Sequence, residues 1–68
     1  MAPDYMARAT VPELEAWAGE AKRLAGVLRA MTPNEERTQL IKETEEFARQ
    51  CDLALAERRV AAWEARQM

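Results

Sequence analysis

Histidine is absent from this 68-residue chain, and cysteine occurs once, at Cys51. Without histidine there is no imidazole to act as a general base near neutral pH. A single thiol supplies neither an internal disulfide nor one of the usual zinc ligand sets. Carboxylate-bridged metal sites in helical bundles use a Glu-x-x-His pair, which this chain cannot provide. Glycine occurs twice, at Gly19 and Gly26, with no glycine cluster ahead of a helix to cradle a phosphate. These absences predict a non-enzymatic protein with no cofactor, no metal and no catalytic residue. No apolar run approaches the roughly 20 residues that span a bilayer. Met1 to Thr10 also lacks the basic start and continuous apolar stretch of a secretory signal. The expected location is a reducing cytoplasm, with no membrane partner.

An excess of positive charge is missing too. Ten basic and twelve acidic residues give a net charge of −2, alternating in sign along the chain. Non-specific nucleic-acid binding needs a basic surface that releases counterions, so a nucleic-acid partner is not expected. Large side chains are scarce as well: 49% of the residues are apolar, but fourteen of them are alanine. A chain this short buries only about 60% of the surface its unfolded form exposes. Such chains usually rely on disulfides, a metal or a second subunit. With the first two excluded, self-association remains.

What the chain does have is helical periodicity. Leu14, Trp17, Ala21, Leu24, Leu28 and Met31 step by three and four, as does a second stripe through Leu40, Thr44, Phe47, Cys51 and Ala54. Thr10 and Glu13 have the spacing of a capping box, and Pro12 is tolerated where an amide would have no partner. The same signature recurs at Thr32, Pro33 and Glu35, with the threonine as cap and the proline in the first helical position. The reading is all-α. Residues 1–10 form an arm and residues 11–68 an antiparallel helical hairpin, helix 1 over about 11–31 and helix 2 over about 33–66, pairing with a second copy into a four-helix bundle. Helix 2, at ~50 Å against ~30 Å, should overhang helix 1 by more than ten residues.

Within the expected overhang the apolar pattern changes face. Leu53, Ala56, Val60 and Trp63 lie roughly opposite the Leu40–Ala54 stripe, where the earlier turns of the helix carry Lys42, Glu45, Glu46 and Arg49. The alternatives are that Tyr5 and Met6 of the arm fold over this strip, that a twin subunit covers it, or that a foreign protein binds it. On the last reading Leu53, Ala56, Val60 and Trp63 anchor the partner, with Arg59 and Arg66 as polar rim. A second candidate is a smooth strip on helix 1, Ala16, Gly19, Gly26 and Ala30, where another backbone could approach closely. Its plainer reading is tolerance of glycine on a solvated face, and Arg23 interrupts it. Cys51 falls on the seam and reads as a small buried apolar residue. The carboxylates Glu35, Glu36, Glu43, Glu45 and Glu46 read as a solvated face, with an acidic docking surface as the alternative.

In length, hairpin layout and leftover apolar surface the chain resembles the two-helix inhibitor proteins that phages and mobile elements direct at host regulators. Among these are the Pseudomonas phage anti-activators of quorum-sensing transcription factors. The segment Ala21–Arg59, with its Thr-Pro-x-Glu turn, resembles small proteobacterial helical hairpins. The first resemblance implies a homodimer that binds a host regulator and inhibits or modulates it; the second implies a fold alone. The alternatives are an RNA-binding hairpin dimer similar to the plasmid RNA-loop modulator protein, with Lys22, Arg23 and Arg29 as the phosphate-contacting edge, and a purely structural dimerisation unit.

Overall fold

Thr10 opens the first long helix in the expected way. Its backbone is extended, its Oγ1 accepts from the Glu13 amide at 3.2 Å, and its own amide donates to Glu13 Oε1 at 2.9 Å. Both bonds of the capping box are therefore formed, satisfying two groups that the helix itself leaves without partners. The carboxylate holds the Thr10 amide first and the Thr10 side chain second, which keeps the Glu13 carboxyl below the usual carboxylate range. Because the folded-state value is depressed, this contribution is present above the ordinary carboxylate range and is lost as pH falls through the depressed value.

In the computed structural model, residues 4–67 are described. They form a one-turn helix α1 (Asp4–Arg8), a helix α2 (Val11–Ala30) and a long helix α3 (Glu35–Gln67), with no strand among the described residues. The second capping signature resolves differently from expectation. Asn34, not Thr32, caps α3: its Oδ1 accepts from the Arg37 amide at 2.8 Å, and its carbonyl accepts from both the Thr38 amide and the Thr38 hydroxyl at 2.9 Å. Asparagine is among the strongest N-cap residues, and Pro33 pushes the residue before it out of the helical region. Thr32 is thus held in the linker, where its carbonyl accepts from the Arg37 guanidinium. Glu35 stands in the first turn beside Glu36, where the positive end of the helix dipole favours both.

The seam between α2 and α3 is built from alanine. Leu14, Ala18, Ala21 and Ala25 are the buried residues of α2, and they face Ala48, Cys51, Ala54 and Leu55 of α3. The face is rotated from the expected one, so that Leu24 and Met31 stand largely exposed and Trp17 is only half-buried. Small side chains let two backbones approach closely, and a larger residue at the same place would hold them apart. The bulky neighbours are displaced to the flanks of the contact.

Two ion pairs cross between the helices on one flank, Lys22 with Asp52 at 3.0 Å and Arg29 with Glu45. Seven residues forward on α2 correspond to seven backward on α3, which makes the pairing antiparallel. Their side chains are about half exposed, so they contribute little to stability, and their value lies in fixing the register. Extending that register places Val11 roughly level with Trp63. Most of the extra length of α3, 33 residues against 20, therefore lies at its linker end. On this register the Leu53–Trp63 segment lies level with α2, because Met31–Asn34 leaves α2 in extended form and carries the chain past its end, but burial on α3 stops at Leu55 and Arg58 and every residue from 59 to 67 is exposed.

The arm is structured where it is described. Met6 is fully buried in a cluster with Ala9, Leu14, Ala18, Cys51, Ala54 and Leu55, and Tyr5 meets Trp17 edge to face with ring centroids 6.0 Å apart. Arg58 Nη2 donates to the Met6 carbonyl at 3.0 Å, which also accepts from the Ala9 amide at 3.3 Å, and to the Ala7 carbonyl at 3.2 Å, tying the end of α1 to α3. So α1 folds back over the far end of the hairpin.

Candidate protein-binding interface

The two flanks of the α2–α3 contact differ in chemistry. One carries the ion pairs just described. On the other, Trp17, Leu24 and Val27 of α2 stand across from Leu40, Thr44 and Phe47 of α3 and enclose an open groove of about 610 Å³. Tyr5 closes one end, while Glu20, Arg23 and Glu43 form a charged rim. Trp17 and Phe47 rest partly on the core cluster, so the groove is continuous with the protein interior. Leu24 is 48% exposed and Val27 53% exposed.

The expected partner strip lies elsewhere, on the solvent side of α3. Leu53 (59% exposed), Val60 (55%) and Trp63 (60%) leave most of their apolar surface uncovered, and Ala56, Arg59 and Arg66 are exposed with them. Tyr5 and Met6 do not cover this strip, because they are committed to Trp17 and to the core cluster on other faces. The molecule thus presents two apolar surfaces at once, a concave one between helices and a convex one on a single helix.

Ala16, Gly19, Gly26 and Ala30 are exposed along the outer face of α2, and a Cβ added at either glycine would meet no atom within 4 Å. No close approach within the chain requires these glycines. Arg23 leans aside to pair with Glu20. With Lys22 held by Asp52 and Arg29 by Glu45, all three cations of the edge considered for RNA have a carboxylate partner.

Cys51 is fully buried, and its thiol pKa is raised first by burial and then by the neighbouring Asp52 carboxylate. A thiol that resists ionisation inside a core is a poor nucleophile. Iodoacetamide at pH 8 is expected to leave native Cys51 unmodified for hours and to label it only in urea concentrations that unfold the chain. Native-state labelling at the rate of a free thiol would show that the cluster is not closed. Among the described residues, no group of three potential metal ligands comes together and no helix is long and apolar enough to cross a membrane.

Sequence reasoning missed Val27 and Leu55, which fell on neither expected stripe. The available signal was the width of the apolar arc on α2. Leu14, Ala18, Ala21, Ala25 and Leu28 make one complete stripe, and Trp17, Leu24, Val27 and Met31 make another beside it. An arc that wide serves a contact on each side. No family model, no curated protein and no solved structure matches this chain.

Proposed function

We propose that this chain is a small, non-enzymatic protein-binding module of the cytoplasm that pairs with a second copy and binds a larger regulatory protein, such as a transcription factor, to inhibit or modulate it. The observation that carries the reading is the exposure of Leu53, Val60 and Trp63, the first on a turn whose other side packs through Cys51, Ala54 and Leu55 and the other two on the stretch 59–67, where every residue is exposed. Contiguous apolar side chains on a solvent face mark interaction surfaces, and tryptophan is enriched where binding energy concentrates. Arg59 and Arg66 lie at the edge of that strip and supply the polar rim. The likeness in size and layout to two-helix inhibitors of host regulators supports the direction of the effect.

RNA binding is the weaker reading, because the cations it would need are neutralised in place by Glu20, Asp52 and Glu45. A tagged copy incubated with bacterial lysate, with and without ribonuclease, tests the choice. The expected result is a retained protein that resists ribonuclease and high salt and is lost with Val60→Glu at unchanged helicity. Undiminished retention by the variant would remove the Leu53–Trp63 strip as the binding surface. Retained RNA that is lost at high salt would revive the alternative.

A further inference from the structure

We infer that the groove between α2 and α3 is the seat of a second copy of this chain, packed across a two-fold axis, and that the Leu53–Trp63 strip takes no part in that contact. This rests on the association reading above and assigns one of its two surfaces to one occupant.

Three observations favour a second copy as the occupant. The chain exposes 5402 Å², whereas a compact monomer of its 7.7 kDa mass exposes about 4,300 Å². The excess, roughly 1,100 Å², exceeds the ~800 Å² per partner that a standard stable interface buries. The extents, 52 × 19 × 15 Å, describe a molecule only one helix layer thick. Among the described residues its largest fully buried side chains are Met6, Leu14 and Cys51, too few for a layer that must persist without permanent cover.

The shape of the groove selects the symmetry. The Tyr5–Trp17 end is blocked by α1, whereas the Leu40 end is open. A head-to-head arrangement would drive α1 against its counterpart. A two-fold axis perpendicular to the groove near Leu24 and Val27 instead lays the Tyr5–Trp17 end of each copy over the Leu40–Phe47 end of the other. Such a closed, isologous contact is the commonest symmetric solution for soluble proteins. It produces a four-helix layer with the ion-paired flanks and both Leu53–Trp63 strips facing outward. The convex strip, borne on a single helix, offers a second copy no pair of walls to enclose it.

Sedimentation equilibrium of the wild-type chain, Val27→Glu, Leu24→Glu and Val60→Glu tests the assignment, with circular dichroism confirming helicity. The expected result is twice the chain mass for wild type and Val60→Glu. Each groove variant should show the single-chain mass and a dissociation constant raised at least about 100-fold, since a carboxylate would be forced into the centre of the contact. A second measurement leaves the groove intact: in a Trp63→Phe protein the emission of Trp17 should shift to longer wavelength on dilution, in step with the fall in mass. A wild-type chain that stays monomeric at 100 µM, a concentration of ordinary assay scale, about 100-fold above a micromolar constant, overturns the assignment while leaving the pull-down reading standing. Loss of the dimer in Val60→Glu with its retention in Val27→Glu overturns the choice of face while leaving self-association intact. A Trp17 emission that ignores the change in mass likewise excludes the groove.

Discussion

Leu14→Ala is expected to remove about 3–5 kcal/mol of folding stability, the upper part of the range for a leucine truncated in a core that cannot collapse around the loss. Leu14 is fully buried where α1, α2 and α3 meet, and three of the six other residues of that cluster are alanines, which have no flexible side chain to swing into the vacated space. Met6, unbranched, has the most freedom to adapt. A chain of 68 residues carries roughly 3–10 kcal/mol of total stability, so the loss approaches the whole of it. Urea unfolding followed at 222 nm, at a protein concentration held constant across variants, measures the effect. A change below about 1 kcal/mol would mean that the cluster is not the structural centre of the molecule.

The opposite substitution is expected to damage the seam by a different route. Ala25→Leu puts three extra carbons into the buried seam on the side of Ala48, and overpacking of this kind costs about 1–3 kcal/mol. In a domain of this size that corresponds to a fall of roughly 5–20 °C in Tm. The helices must also separate, which draws Arg29 from Glu45 and Lys22 from Asp52 on the adjacent flank. Thermal unfolding by circular dichroism reads the change. An unchanged or higher Tm would show spare room at the seam and a looser packing than the alanine pattern implies.

The contrast between these residues also shows how far the sequence could be read. The Thr10–Glu13 box was legible because it is local, closing within three residues on bonds that any helix start needs. The two long helices were legible for a similar reason, since their periodicity runs for many turns. At Thr32–Asn34 two good caps compete within three positions, and the chain direction imposed by Pro33 decides between them. The seam was misplaced by a fraction of a turn because the expected stripes followed the larger side chains and took in Ala21 and Ala54 but not Ala18, Ala25 and Ala48, which are buried at the contact. The burial of Met6 depends on contacts more than forty residues away and leaves no trace in the five residues of α1. Of the candidate interface, the Leu53–Trp63 strip was visible as a change of face. The groove was not, since it exists only where Val27 of one helix and Phe47 of another are brought to the same side.

The four-residue connection Met31–Asn34 has a consequence for the order in which the molecule comes together. Of the contacts between the two helices, those beside the linker close the shortest stretch of chain and cost the least entropy, so the pairing of α2 with α3 starts there and zips away from it. The cluster of Leu14, Met6 and Cys51 lies at the opposite end and must wait for both the full zipper and the return of α1. Contacts that form after the rate-limiting barrier leave folding speed almost untouched and act on the rate of escape. The last few side chains to arrive therefore set how long the folded state survives once reached.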